Sequence, residues 1–293
     1  MAVLVPRSLA AAVGMLDEHP GAVVLAGGTD LLVEINERHR TIGDELTVVA
    51  VNRVPELRAW TFDRDARTLR LGAGVTYTEI AADPIAGFVP ALAQAARTVG
   101  SPQIRNTATI GGNLATCSPA GDGLPVLVAV DADVELVSTS GTRTLPVGEF
   151  MVGVKQTALA PGELISAVNV PLLDGWQGYS KVGVRNAMVI AISGVCLAVD
   201  RPSRSVRIAL GSVAPTIVRA ADAEAFAAER VDWGRGPGNE TVSADDAAEF
   251  GRLAAAASQP ITDHRSTADY RRHSIDVLAR RLLGRAFAVE EAA

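Results

Sequence analysis

TIGGNLATCSPAGD, from Thr109 to Asp122, and AGGTDLL, from Ala26 to Leu32, are the two stretches on which the reading of this chain turns. Each pairs a Gly-Gly step, where backbone N–H groups can come close to a ligand, with small hydroxyl or amide side chains suited to phosphate oxygens. In chain order, the first stretch, AGGTDLL, follows an apolar run, Ala22 to Ala26, that reads as a buried strand because it is short, holds Val23, Val24 and Leu25, and stops at glycine. Thr29 or Asp30 then stands where it can cap a short helix through Leu31, Leu32 and Ile35. A strand, a Gly-Gly turn and a helix N-terminus in that order offer free N–H groups and a positive dipole end to an anion. On its own such a step reads as an ordinary tight turn. The second stretch repeats the chemistry and continues through Ser118, Pro119 and Asp122 into an apolar run, Pro125 to Val130, predicted to be a strand. An acidic side chain just past a phosphate loop suits a ribose hydroxyl. Together the two stretches predict a cradle for a diphosphate.

Composition agrees with a soluble globular protein and narrows the function classes. The 293 residues are 48% hydrophobic and 20% charged, enough for one large core or two moderate ones. No apolar run approaches a membrane span, and the N-terminus, with only Arg7 after an apolar pentapeptide, does not read as a secretory signal. A cytoplasmic location is the expectation. The net charge of −6 argues against a nucleic-acid binder, although Arg265, Arg271, Arg272, Arg280, Arg281 and Arg285 cluster near the end. Asp263, Asp269 and Asp276 interleave with them, so a solvated helix face is preferred to a docking surface. Cys117 and Cys196 have no CxxC spacing, which excludes a disulfide framework and an iron–sulfur cluster in this chain. Cys117 reads as a small residue filling a turn. His19, His39, His264 and His273 show no metal spacing, and no metal site is assigned. Of the 27 basic residues only Lys155 and Lys181 are lysines, which makes both worth following.

Three sections emerge along the chain. An amphipathic helix over Ser8 to Leu16 feeds the first strand and loop, and a strand over Leu46 to Val51 closes a small α/β unit near Val54. From about Thr68 to Pro171 a second unit holds a strand over Thr68 to Ala73, helices over Thr78 to Ala82 and Pro90 to Val99, the long glycine loop, and strands over Pro125 to Val137 and Leu164 to Val170. Strands over Gly178 to Val184, Ala191 to Val199 and Val206 to Val213 open the last section. Helices over Ala220 to Ala228, Ala244 to Ala257 and Thr267 to Phe287 follow, with Ser243/Asp246 and Ser266/Asp269 at capping-box spacing and a Gly/Pro-rich loop from Gly234 to Asn239. Strands followed by helices predict an α+β domain behind the nucleotide unit. Gly72-Ala73-Gly74 after a strand lacks the third glycine of a nicotinamide fingerprint, because Tyr77 occupies that place. It reads as a packing turn into a helix.

The stretch QIRNTATIGGNLATCSPAGDGLPVLVAVDADVEL (Gln103 to Leu136), with AGGTDLL before it, YSKVGVRNA (Tyr179 to Ala187) and DHRSTADYRRHSIDVLARRLL (Asp263 to Leu283) after it, resembles the FAD-binding medium subunit of the molybdenum hydroxylases. That family includes the flavin subunits of carbon monoxide, nicotine and xanthine dehydrogenases. The resemblance runs over nearly the whole chain, with the motifs in the family's order. It implies an α+β fold: a two-part FAD-binding domain of the vanillyl-alcohol-oxidase/PCMH type over 1–174, with parts of about 1–54 and 55–174, then a smaller α+β domain over 175–293 built on a three-stranded antiparallel sheet with helices. FAD is the implied cofactor. Its site residues, carried over position by position, are Leu25, Ala26, Gly27, Gly28, Thr29, Asp30 and Leu31, then Thr109, Ile110, Gly111, Gly112 and Asn113 for the pyrophosphate. Asp122 is expected at the ribose or nearby phosphate contacts, with Leu164 or Ile165 packed near the cofactor.

Alternation along a strand from Gly178 to Val184 places Tyr179, Lys181 and the nearby Arg185 on one face. A strand edge with solvent-facing cations is one reading. The resemblance favours the other, in which Tyr179 and Lys181 face the flavin and shape its ring or steady its anionic reduced form. The implied role is electron transfer, from a small iron–sulfur subunit with two 2Fe-2S clusters and a large molybdopterin subunit, through FAD, to an external acceptor. A dimer of heterotrimers is the implied assembly. No acid, base or nucleophile is required for this, and no catalytic residue is assigned. A self-sufficient flavin oxidoreductase with the same fold and a non-catalytic interaction subunit remain as alternatives. Intact glycines in both stretches speak against the second.

Overall fold

The computed structural model describes residues 2–37, 43, 46–235 and 238–290. His39 and part of the Gly234 to Asn239 loop lie outside the described residues. The chain opens with β1 (Ala2–Leu4), α1 (Leu9–Glu18), β2 (Val23–Leu25), α2 (Leu31–Asn36) and β3 (Thr47–Ala50), whose strands form a parallel sheet in the order β1-β3-β2. Ser8 starts α1 by accepting the Ala11 N–H, and Ala12, Val13 and Leu16 are the face it buries. The expected strand, turn and helix around the first glycine pair are all present, but β2 is not buried: Val24 is exposed and Val23 and Leu25 are half-buried, because the strand borders the cavity. Asp30 is the residue before α2, but its side chain makes no cap bond.

A five-stranded antiparallel sheet follows: β4 (Trp60–Asp63), β5 (Thr68–Gly72), β6 (Asp133–Ser138), β7 (Gly141–Pro146) and, after the small hairpin β8 (Met151–Gly153) and β9 (Gln156–Thr157), β10 (Leu164–Pro171). Its order is β4-β5-β10-β6-β7, so β10 sits in the centre and reads as a nearly unbroken apolar run. Short helices fill the excursion between β5 and β6: α3 (Pro55–Arg58) precedes it, then α4 (Tyr77–Ile80), α5 (Ile85–Phe88), α6 (Pro90–Thr98), α7 (Pro102–Thr107), α8 (Ile110–Thr116) and α9 (Gly123–Ala129), with α10 (Val147–Phe150) after β7.

Two expectations fail inside that excursion. The second glycine stretch is not a long loop: Thr109 caps α8 by accepting the Gly112 N–H at 3.0 Å, and Cys117, buried and left-handed at φ 47°, ends it. Pro125 to Val130 belongs to α9, not to a strand. Every residue of α9 is buried, so its run shows no helical polar stripe, and Pro125 in the first turn removes an N–H that would have had no helix partner anyway.

The last section holds β11 (Gln177–Val182), β12 (Ser193–Asp200), β13 (Ser205–Gly211) and the two-residue β14 (Val218–Arg219) in one antiparallel sheet. The three expected strands gain a short fourth. Helices α11 (Ala221–Arg230), α12 (Ala244–Ala256) and α13 (Ala268–Ala286) cover one face, and β15 (Thr241–Ser243) pairs with β16 (Ala288–Glu290). Along β12 the side chains divide by parity: Cys196 and Ala198 enter the core shared with the first two sheets, while Val195, Leu197 and Val199 join a second core under α11 to α13. The other face of this sheet lies on α6 and α9. Buried on both faces, β12 is apolar along nearly its whole length. Ser243 caps α12 as the capping spacing predicts, whereas α13 starts one residue later than expected, with Thr267 accepting the Tyr270 N–H.

Candidate functional site

The two glycine stretches meet. Their junction begins with Tyr77 and Ile110, whose N–H groups reach Ala108 O and Val75 O at 3.1 and 3.0 Å, stitching the turn after β5 to the start of α8. Gly111 N–H donates to Ala73 O at 2.8 Å, and a Cβ on Gly111 would stand 2.5 Å from Ala73 Cβ. Gly27 comes in on the other side. A Cβ there would sit 1.9 Å from Thr107 O, so only glycine lets the first loop lie against the backbone that leads into α8. Asp30 adds a side-chain link, its Oδ2 accepting from the Thr116 hydroxyl at 3.1 Å.

Between them opens a cavity of about 720 Å³, within the range of small-molecule and cofactor sites. Leu25, Ala26, Gly27, Gly28, Thr29, Asp30 and Leu31 line it, as do Thr109, Gly111, Gly112, Asn113, Asp122, Leu164 and Ile165. Ile110, fully buried, does not line it, nor do Tyr179 and Lys181. Lining residues without a part in the sequence-derived set include Tyr77, Ile104, Lys155 and the connection residues Met188, Val189 and Ile190. Lys155 is the one cation among the described lining residues, and its Nζ lies 3.2 Å from Glu34 Oε1.

The N–H accounting separates the stretches. Ile110, Gly111, Gly112 and Asn113 spend their N–H groups on Val75 O, Ala73 O, Thr109 Oγ1 and Thr109 O. Among the described residues, the N–H groups of Gly27, Gly28, Thr29 and Asp30 have no acceptor, although all four residues line the cavity. Gly28 turns at φ +72°, a conformation glycine adopts at little cost. A run of free N–H groups at a helix start is an anion site that needs no cationic side chain. It fits the diphosphate of a dinucleotide cofactor, and apolar lining residues such as Leu57, Ile104, Leu159 and Leu164 suit its ring systems. The second stretch offers fewer free donors of this kind, the N–H groups of Thr109 and Ser118, beside its side chains. Tyr77 Oη donates to Asn113 Oδ1 at 2.7 Å, which leaves the amide N–H groups of Asn113 for a ligand.

Asp122 departs from expectation. Its Oδ1 accepts from Tyr179 Oη at 2.8 Å and its Oδ2 from Lys181 Nζ at 2.7 Å. Burial holds its pKa above the ordinary carboxylate value, opposed by the Lys181 charge and by hydrogen bonds from Lys181, Tyr179 and Thr98. Burial beside that carboxylate likewise pushes Tyr77 and Tyr179 well above the ordinary phenol value. Strand alternation therefore predicts correctly that Tyr179 and Lys181 share a face, but that face points at Asp122. Arg185 lies beyond β11 and donates within its own connection, to Ala187 O and Met188 O. Gly72 and Gly74 serve packing: a Cβ on either would crowd Leu57 O, at 2.3 and 3.1 Å.

Comparison with known proteins gives the family of the fold that carries this cavity. Residues 1–173 match the family described as the FAD binding domain in molybdopterin dehydrogenase, and residues 179–286 match the carbon monoxide dehydrogenase flavoprotein C-terminal domain. The carbon monoxide dehydrogenase medium chain of Hydrogenophaga pseudoflava is 30% identical over 295 residues, covering 97% of this chain and 96% of that one. A xanthine dehydrogenase FAD-binding subunit of Escherichia coli is 33% identical over 227 residues, 74% of this chain and 75% of its own length. Among solved structures, the Hydrogenophaga pseudoflava carbon monoxide dehydrogenase that lacks the Mo-pyranopterin moiety superposes with a TM-score of 0.85 at 30% identity, over 98% of this chain and 96% of that one. The matches cover both domains, and the free N–H groups of the first glycine stretch lie in the FAD-binding one. This chain belongs to the FAD-binding medium subunits of the molybdenum hydroxylases.

Proposed function

We propose that this chain binds FAD between its two glycine stretches and passes electrons through it, as one subunit of a molybdenum-containing hydroxylase, to an external acceptor. The observation that carries the reading is the row of four unpaired N–H groups, Gly27 to Asp30, on a cavity of about 720 Å³. Those N–H groups take the diphosphate. Thr109 and Asn113 supply hydroxyl and amide contacts, Ala26 and the side chains of Leu25, Leu31, Leu164 and Ile165 provide apolar walls, and Gly111 and Gly112 let the backbones close around them. Bound FAD supplies exchange of one or two electrons, which suits a junction between one-electron and two-electron carriers. The chain's residues need only bind, orient and shield it, which agrees with a cavity built largely of backbone and apolar groups.

The names of the relatives, medium chains and FAD-binding subunits, support a multi-subunit assembly, to which we assign a small iron–sulfur subunit with two 2Fe-2S clusters, a large molybdopterin subunit, and a dimer of heterotrimers. We place the FAD-binding domain at 1–174, with parts of about 1–54 and 55–174, and the second domain at 175–293. A second hydrophobic core, made by one face of β12 and β13 with α11 to α13, supports that division. We place the complex in the cytoplasm. No helix among the described residues is long and apolar enough to cross a membrane. Visible absorption of the purified chain, with mass identification of any released cofactor, tests the reading. FAD at about one per chain is expected. A chain that carries no flavin and takes none up from added FAD would overturn it.

A further inference from the structure

Tyr77, which stands where a nicotinamide fingerprint would need its third glycine, is buried and held from several sides. The capping box of Thr76 and Glu79 starts α4 at this residue, and its N–H donates to Ala108 O at 3.1 Å, so its backbone is fixed against the residue that leads into α8. Its Oη donates to Asn113 Oδ1 at 2.7 Å, the one hydrogen bond that either side chain makes among the described residues. The glycines on either side of Asp122 close the seat around that bond. A Cβ on Gly123 would lie 2.8 Å from Tyr77 Oη and 3.3 Å from Asn113 Oδ1, and a Cβ on Gly121 would lie 2.7 Å from Asn113 Nδ2. The amide oxygen is thus taken, and Nδ2 keeps both hydrogens unpaired on a residue that lines the cavity.

Orientation decides what that amide can do, because one of its ends accepts and the other donates. Turned the other way, it would offer an oxygen to the phosphate oxygens of a ligand, and the phenol hydrogen would be left without an acceptor. Burial beside Asp122 pushes the Tyr77 phenol well above its ordinary value, so the hydroxyl keeps its proton and stays a donor. We propose that Tyr77 is a positioning residue: its hydroxyl fixes the Asn113 amide with both N–H groups toward the cavity, and so sets the second glycine stretch to bind the diphosphate through a side chain. This rests on the FAD reading above. The competing role is satisfaction of a buried phenol, with Asn113 as no more than its acceptor.

A double-mutant cycle separates the two roles, with the full chain and each variant titrated with FAD and melted without it. Tyr77→Phe keeps the ring and its packing and removes only the donor. Its FAD dissociation constant is expected to rise roughly tenfold. Asn113→Ala is expected to lose at least as much, and adding Tyr77→Phe to Asn113→Ala to lose nothing further. Equal FAD affinity in Tyr77→Phe and the parent would overturn the proposal, since the bond would then serve the phenol alone. A loss that persists in the Asn113→Ala background would overturn it too, because Tyr77 would act on the ligand directly or through the fold at large. Asn113→Asp is a check that leaves Tyr77 unaltered. Its carboxylate keeps an acceptor for the phenol and puts an anionic oxygen where the amide N–H groups stood, so it is expected to bind FAD roughly tenfold more weakly than Asn113→Ala. Binding as tight as that of Asn113→Ala would contradict the orientation. A parent chain that binds no FAD would instead overturn the site itself.

Discussion

Gly27-Gly28 and Gly111-Gly112 are the same dipeptide, set on the same cavity, and the molecule uses them for opposite purposes. The first pair leaves its N–H groups without acceptors and lies in a turn before a helix. The second sits inside the first turn of α8 with its N–H groups spent on Ala73 O and Thr109 Oγ1, and its service is contact: Gly111 is buried against Ala73. Glycine is thus selected once for the donors it exposes and once for the side chain it lacks. The lesson is that a Gly-Gly step marks close approach, and only the hydrogen-bond accounting says whether what approaches is a ligand or another piece of backbone.

Substitutions separate the two roles. Gly111→Val forces a branched side chain into a closed junction, and unfolding of the flavin-free chain is expected to lose about 3 kcal/mol, read as a lowered melting temperature. An unchanged melting temperature would break the contrast at once. Gly27→Ala acts on the half-buried loop, which can swing away from Thr107 O, so FAD affinity is expected to fall about a hundredfold with a smaller loss of stability in the flavin-free chain. Titration with FAD followed by flavin fluorescence measures it.

Carboxylates outside the glycine pairs add a pH axis. Asp263 is pulled up by burial, but the Arg265 N–H, the Arg271 side chain and the Ser266 N–H outweigh that and bring its pKa from 3.8 down to about 2. A carboxylate with a depressed folded value contributes stability at pH above its ordinary range and loses it as pH falls towards 2. Asp263→Asn should therefore flatten the acid limb of the stability profile between pH 4 and 2, without the loss of FAD affinity expected for Gly27→Ala. Denaturant melts across that interval show whether it does.

Thr109→Val removes the cap of α8 and is expected to cost about 1 kcal/mol, again in the flavin-free melt. Smallest of all is Gly112→Ala. Its Cβ would lie 3.0 Å from Thr109 Oγ1, a tight contact set against the gain of a better helix former, and the net change in stability is expected within about 0.5 kcal/mol. Calorimetry of that variant sharpens the comparison. A large loss of FAD affinity at unchanged stability would show the second pair to be a ligand contact after all.

Much of this was legible in the residues. The strand, glycine turn and helix over Val23 to Asn36, the cap at Ser243, and the three main strands of the second domain all follow from local pattern and survive in the structure. What misled was apolar sequence without a polar stripe. Pro125 to Val130 reads as a strand because α9 is buried on all sides, and a short unbroken apolar run looks the same in a buried strand and a buried helix. The second glycine stretch reads as a loop because two glycines disfavour helix, yet the Thr109 cap and the seat on Ala73 override propensity there. Asp122 and Lys181 were found as residues but not as partners. Alternation along β11 puts Tyr179 and Lys181 together, while only the packing of that strand on α6 and α9 brings Asp122 to them. No local signal carries a pairing between residues so distant in sequence.

The most direct test is amide hydrogen exchange at single-residue resolution, without and with FAD. The account predicts fast exchange at Gly27, Gly28, Thr29 and Asp30 in the flavin-free chain, strong slowing there when FAD is added, and slow exchange at Ile110, Gly111 and Gly112 in both states. Amides of the second stretch that exchange freely until FAD protects them, with no change in the first, would contradict it.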